Sequence, residues 1–243
     1  GKLKEEGNYS MNRPVGDWKS YYINGYHMME EKLEDSMSYV MNFWLPDSTQ
    51  TLKDGNGRTF VYYSSTGHLE EFYTYEDGIK NGPFEEYTAA GKIFAQGQYR
   101  NGEKDSTWLY WYYTGELDRE VNYVNGNLQG PYKKYYDNGK LNVKGEYHNG
   151  QKVGHWKWYT NVGTTDMEGD FIADQQDGFW KYWFPGDTVQ VESQGYFQNG
   201  KRNGDWEFFY RDGKQWRKGT YKDDLEDGEW KTWFENGQLL KQG

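Results

Sequence analysis

The amino-acid sequence returns to itself every 24 residues, and that period limits the fold more than any other feature. It is clearest in Gly130 to Val153, GPYKKYYDNGKLNVKGEYHNGQKV. An aromatic run opens the segment and Asn138-Gly139 follows. A second run ends in Gly145-Glu146-Tyr147, and Asn149-Gly150 closes the unit. Aromatic openers recur at Trp18, Phe60, Phe84, Trp108, Tyr132, Trp156, Trp180, Trp206 and Trp230. Their spacings are 42, then 24 five times, then 26 and 24. Nine residues before each opener stand Tyr9, Thr51, Tyr75, Tyr99, Tyr123, Tyr147, Phe171, Phe197 and Tyr221, all but one aromatic. Self-similarity at this length marks a stack of small supersecondary units, each burying its neighbour.

The unit is a β-hairpin. Segments such as Trp108 to Tyr113 and Trp180 to Phe184 are rich in residues that favour a pleated, half-buried surface. Asn-Gly and Asp-Gly pairs punctuate them, at 77–78, 101–102, 125–126, 138–139, 149–150, 199–200, 212–213 and 236–237. These pairs supply the positive φ that tight hairpin turns demand. A helix is excluded, because glycine recurs too often and no unit has apolar spacing of three and four. Gly usually stands two residues before the opener, with Arg58 and Ser106 as exceptions. Aromatics also stand three residues after it, at Tyr21, Tyr63, Tyr87, Trp111, Tyr135, Tyr159, Trp183, Phe209 and Trp233. In a regular strand an offset of three reaches the opposite face. The pattern predicts aromatic ladders on both faces, one better buried, with a bulge as the alternative.

Composition agrees with a thin sheet. Hydrophobic residues are 35% of the chain and aromatics alone 20%, so aliphatic side chains for a deep core are scarce. A disordered chain would lack the aromatics. The expected fold is all-β: an elongated, twisted, single-layer antiparallel sheet of about nine to ten stacked hairpins, in one domain over 1–243. A distorted repeat or insertion spans 24–57 and regular repeats span 58–243. Within the former, a short loop, an extra strand near 38–45 and a return strand near 49–53 are expected after the Pro46-Asp47 turn. Further departures lie at Ala173-Asp174, where Asn-Gly is missing, and at 185–192, which carries two extra residues.

Charge and chemistry exclude several classes. There are 28 basic residues against 38 acidic, a net charge of -10. That opposes a phosphate-binding surface on nucleic acid or anionic lipid. No cysteine is present, which removes disulfides and thiolate metal sites. No apolar run approaches the ~20 residues of a membrane helix. Gly1 in place of Met reads as a processed end, so an exported location (periplasm, cell surface or secreted) is expected and the cytoplasm stays open. The four histidines are His27, His68, His148 and His155. His148 and His155 flank one turn but offer no third metal ligand. Acidic turns at Asp170, Asp174, Asp177 and at Asp223, Asp224, Glu226, Asp227 do not match a calcium loop. No catalytic residues, metal site or cofactor are expected, since neither a nucleophile motif nor a phosphate-loop spacing occurs.

Gly130-Pro-Tyr132, Tyr135-Tyr136, Asn138-Gly-Lys-Leu141 and Gly145-Glu-Tyr147-His-Asn-Gly150 resemble the MORN repeat. They are most similar to the bacterial 24-residue variant of the YwqK-family antitoxins. The resemblance covers 7–243, weakest over 24–50. It implies an elongated sheet of stacked hairpins that serves as a scaffold, spacer or dimerisation platform. Membrane-lipid binding and an antitoxin role are further implications of it.

Rings found in only some units are the expected contact residues, because the stack does not need them: Trp44, Tyr110, Trp158 and Trp216. The expected function is a non-enzymatic scaffold binding a protein partner at the cell envelope or outside the cell, with self-association through edge strands. Antitoxin action and glycan binding through the irregular tryptophans are the alternatives. A carboxylate hydrolase near 24–50 would require a closed pocket there.

Overall fold

Alternating long aromatic strands and two-residue turns can close only as consecutive hairpins, and the computed structural model has that arrangement. It describes residues 2–35, 37–186 and 190–243. Part of the irregular 185–192 segment lies outside the described residues. Among them are twenty-one strands and no helix, all paired strands being antiparallel and assigned to one sheet. The chain divides into two compact units. The first comprises 1–115 with 123–126, and the second 116–122 with 127–243.

The regular hairpin shows how the sequence sets local structure. Strand Leu141–His148 turns through Asn149 (φ 49°) and Gly150 (φ 81°) into strand Gln151–Tyr159. Both turn residues are left-handed, as a two-residue hairpin with the sheet's twist requires. The Gly150 amide donates back to the Leu128 carbonyl at 2.9 Å, tying this turn to the strand that leaves the equivalent turn of the preceding hairpin. Where Asn-Gly is missing, Ala173 (φ 48°) and Asp174 (φ 67°) still take the turn. Asp174 adds a carboxylate that accepts from the Lys152 amide at 2.9 Å, and Asp224 does the same for Arg202. That bond offsets the strain of a non-glycine residue at positive φ.

A bulge then places the opener. Lys144 pairs with Lys157 and Glu146 with Val153, so Gly154, His155 and Trp156 oppose the single residue Gly145. Gly154 is left-handed, and Ser106 (φ 62°) takes that place in the hairpin of Trp108. The bulge lays the indole of Trp156 flat on Gly145. A Cβ there would lie well under 3 Å from three ring carbons. The same holds for Gly7 under Trp18, Gly97 under Trp108, Gly169 under Trp180, Gly195 under Trp206 and Gly219 under Trp230. Eleven residues separate each pair. Where the opener is smaller the glycine is absent: Tyr73 precedes Phe84, and Val121 precedes Tyr132. Ring size and the residue beneath are therefore matched, as close packing demands.

Trp108, Trp156 and Trp180 are each only 1% exposed, so a single-layer sheet does make a closed interior on one face. A buried Trp removes roughly 150–250 Å² from water. At ~25 cal/mol/Å² that is about 4–6 kcal/mol before entropy, an upper estimate against an extended chain. Residues on this face are the opener and the residue two later: Trp156 stacks on Trp158 at 5.7 Å and 30°. The residues one and three later share the opposite face, where Lys157 lies over the rings of Tyr159 at 5.7 Å and Trp183 at 5.9 Å. Two faces and a bulge thus coexist, and the sequence alternatives were not exclusive.

The first unit departs where expected, with two differences. His27–Glu34 is a strand, paired on both sides, where a loop was expected. Its partners are the extra strand Met37–Trp44 and strand Arg13–Tyr21; Gln50–Lys53 is the return strand. The insertion brings Val40, Phe43 and Leu52, an aliphatic-rich core that replaces stacked tryptophan. In the next hairpin the register is one residue off the sequence anchor. Gly57 pairs with Tyr75 and Thr59 with Tyr73, as Gly130 and Tyr132 pair with Tyr147 and Gly145. Buried Thr59 holds the opener's place, and Phe60 stands beside it.

Candidate functional site

In the second unit the buried face forms one column of rings. Tyr132, Trp156, Trp158, Trp180, Tyr182, Trp206, Phe208 and Trp230 follow one another with centroids 5.7 to 6.4 Å apart and planes 28° to 35° apart. Tyr147, Phe171, Phe197 and Tyr221 meet the tryptophans edge-on at 5.0 to 5.3 Å. Offset and edge-on contacts are the favoured aromatic geometries, each worth ~0.5–1.5 kcal/mol beyond burial. Cations cap the column: Lys152 lies 5.2 Å from the Trp156 ring, Arg202 4.0 Å from Tyr221 and Arg217 4.1 Å from Trp230.

The tryptophan openers of this unit are buried, but Tyr132 and the residues two after each opener are only half-buried, and beside Tyr182 and Phe208 the face opens into a cavity of about 800 Å³. Trp216 forms one wall. It is the bulged residue opposite the Phe208–Phe209 step, meets Phe208 edge-on at 6.0 Å, and is 44% exposed. Arg202, Arg211, Glu192 and Glu235 supply the charges of the lining. Arg211 is fixed by its guanidinium 5.2 Å over Phe184 and a 3.4 Å bond to the Pro185 carbonyl. Arg202 is held by Asp224 at 3.2 Å. Burial raises the Tyr182 hydroxyl above its ordinary range, so it stays a neutral donor there.

The four expected contact residues are not brought together. Trp158 and Tyr110 belong to the stacks: Trp158 bridges Trp156 and Trp180, and Tyr110 lies on Trp108 at 6.1 Å. Trp158 thus links successive hairpins, and Tyr110 packs along its own strand, where its hydroxyl accepts from the Lys104 ammonium at 2.9 Å. Trp44 is half-buried, 5.7 Å from the His27 ring, and its carbonyl accepts from the Tyr22 hydroxyl at 2.8 Å. Trp216 alone of the four lines the large cavity. Tyr182, Phe208 and Arg211 also line this cavity and were not among the expected residues. Tyr182 and Phe208 could have been found as aromatic residues two after the opener in consecutive units; Arg211 carried no such signal.

The histidines and acidic turns are engaged in ordinary contacts. His148 meets Gln129 at 3.1 Å, and His155 lies 3.0 Å from Asp170 and 3.8 Å from Glu168. Asp224, Glu226 and Asp223 lie within 4.0 Å of Arg202, Arg217 and Lys201. The Arg202 amide and guanidinium hold the Asp224 carboxyl below its ordinary range. Near the 24–57 segment there is a second cavity, of about 450 Å³, whose described lining carries one carboxylate, Glu71. Glycoside hydrolysis by a carboxylate pair requires two.

Comparison with known proteins bears on the repeat. Residues 80–101, 104–125, 128–149, 202–223 and 226–243 match the family model described as MORN repeat variant. The match covers five segments of this chain. Each begins four residues before an opener, at Lys80, Lys104, Leu128, Arg202 and Glu226, and the first four end on the first residue of the closing turn. MORN repeats are generally protein- or membrane-interaction modules of a non-catalytic type. No curated protein matches the chain. Among solved structures, the crystal structure of TcdB2-TccC3 is similar at 11% identity and a TM-score of 0.23. Its form without the hypervariable C-terminal region gives 10% and 0.21, and its complex with Cdc42 10% and 0.16. Each covers 98% of this chain, which spans 15% of theirs. At such scores nothing about this chain follows from them.

Proposed function

We propose that the chain is a non-enzymatic MORN-type scaffold that binds a partner protein, at the cell envelope or outside the cell. The aromatic cavity of Tyr182, Phe208 and Trp216 takes the partner's side chains. The observation that carries this reading is Trp216: a large ring 44% exposed at the mouth of an 800 Å³ cavity, backed by a rigid ring column. Trp, Tyr and Arg in a preformed pocket are the residues that dominate binding energy at protein interfaces. The rings are already ordered by stacking, so little entropy is lost when they are covered. A cross-linking capture from the source organism tests it. A partner retained by the wild-type chain and by Tyr113→Ala, but lost with Trp216→Ala, is expected. Only non-specific partners, or equal capture by all three, would overturn it.

Two other readings attach to the same surface. The exposed indole of Trp216 beside Glu192 and Glu235 would also suit a sugar ring and its hydroxyls, so glycan binding is the second reading; a glycan array without signal above background removes it. In the third, the partner is the toxin of a toxin–antitoxin pair in the manner of YwqK-family proteins. Co-expression with the neighbouring gene product must then rescue growth.

A further inference from the structure

The first hairpin differs from the later ones at its tip. Strand Glu5–Ser10 is exposed along its whole length, and its one partner among the described residues is Arg13–Tyr21. The turn between them is Met11 (φ 48°) and Asn12 (φ 62°). Both are left-handed, where most later hairpins have glycine at the second place. Ala173-Asp174 and Asp223-Asp224 also do without glycine, but their aspartates accept from the amides of Lys152 and Arg202. Among the described residues Asn12 accepts no such bond, so this turn carries its strain uncompensated. Met11 is 96% exposed, and Tyr9, though edge-on to Trp18 at 5.2 Å, is 68% exposed. A tip with little buried apolar area and a strained turn opens locally at low free energy.

That tip carries the sequence Asn8-Tyr9-Ser10, an acceptor signal for N-linked glycosylation. No other asparagine in the chain has serine or threonine two residues on. Asn8 and Ser10 point to one face of the strand and both are exposed. Among the described residues neither side chain has a hydrogen-bond partner. We propose that Asn8 is the acceptor of an N-linked glycan. Transfer requires the acceptor amide and the serine hydroxyl to enter the transferase together, and opening of the Met11-Asn12 tip lets them do so. The Asn8 amide nitrogen forms a bond to the anomeric carbon of a polyprenyl-diphosphate-linked oligosaccharide. The anomeric carbon–oxygen bond breaks with its electron pair on the diphosphate, and the amide proton passes to a base of the transferase. The inference rests on the reading that the chain is exported, since glycans of this kind belong to secreted surfaces.

The test is transfer to the purified, folded full chain by a single-subunit oligosaccharyltransferase with its lipid-linked donor, read by intact mass and peptide mapping. A single glycan is expected, at Asn8. Asn8→Gln and Ser10→Ala should each abolish it with an unchanged circular dichroism spectrum, and Asn12→Gln should leave it in place. Giving the turn the Asn-Gly of the regular hairpins, through Met11→Asn with Asn12→Gly, should slow transfer severalfold, because a relaxed turn opens less often. The reaction in solution does not depend on export, so its failure strikes the acceptor site alone, whereas fractionation of the source organism decides the export reading. No transfer to the chain while the enzyme's own acceptor peptide is modified, transfer that survives Ser10→Ala, or an equal rate with the Asn-Gly turn would each overturn the proposal.

Discussion

Replacing Gly145 by Ala should damage this protein far more than its chemistry suggests. The new methyl group would sit within van der Waals overlap of three ring carbons of Trp156. Neither side can move freely, because Trp156 is 1% exposed and lies between Tyr132 and Trp158, each 5.7 Å away. Overpacking in a core of this kind costs about 1–3 kcal/mol. Expelling the ring instead gives up much of the roughly 4–6 kcal/mol of its burial. The expected loss is about 3 kcal/mol. In urea unfolding with a slope of about 3 kcal/mol/M, the midpoint falls by about 1 M. Trp156→Phe in the Gly145→Ala background should recover at least half, because Phe84 and Tyr132 already sit over larger residues. The double-mutant cycle should give a coupling of at least ~1 kcal/mol. Gly150→Ala is the control. Nothing lies within 4 Å of its Cβ position, so its cost comes from φ +81° alone, about 1–2 kcal/mol, and Trp156→Phe does not relieve it. A Gly145→Ala cost under about 0.5 kcal/mol, or no relief by Trp156→Phe, would refute the matching of ring to glycine.

Other consequences are smaller. Tyr136 donates to the Tyr159 carbonyl at 2.7 Å and Tyr210 to Trp233 at 2.8 Å, joining neighbouring hairpins. Tyr136→Phe should cost about 0.5–1.5 kcal/mol, read from the urea midpoint and from faster amide exchange in the 151–159 strand. Burial, then the charges of Glu71 and Glu70, raises the Glu86 carboxyl above its ordinary value. Its stabilising contribution is therefore present at low pH and lost as pH rises through the raised value. Glu86→Gln should raise the midpoint at pH 7, and the gain should vanish below about pH 4. Burial chiefly pushes the Tyr99 hydroxyl up to about 12, and a hydrogen bond with Glu85 does so for Tyr87. Phenolate absorbance should show a late-titrating class near 12, with stability falling from about pH 10 upward as unfolded tyrosines ionise first.

Much of the fold was legible because hairpin stacking writes one rule per unit. Asn149-Gly150 and its copies announce the turns, and Trp156 and its copies announce the buried face. The glycine under each tryptophan was also legible, since Gly145 and Trp156 stand eleven apart in every tryptophan-opened hairpin. It went unseen because glycine was read as turn chemistry rather than as the absence of a side chain. The one-residue slip that puts Thr59 in an opener's place was hidden by Phe60, whose aromatic ring mimics the pattern. His27–Glu34 lacks the aromatic and β-branched residues of the other strands, but pairing on both sides makes it a strand. The lining of the cavity was less legible. Trp158 and Trp216 are both irregular tryptophans in sequence. Only packing separates the one that bridges two hairpins from the one that walls a cavity.

Hydroxyl-radical footprinting of the chain with and without its captured partner tests the central claim most directly. In the free chain, Trp216 should be oxidised rapidly while Trp156 and Trp180 stay protected. On binding, protection should appear at Trp216, Phe208 and Tyr182 and leave exposed Tyr113 and Tyr9 unchanged. Protection at Tyr113 or Tyr9 with Trp216 still reactive would contradict the account.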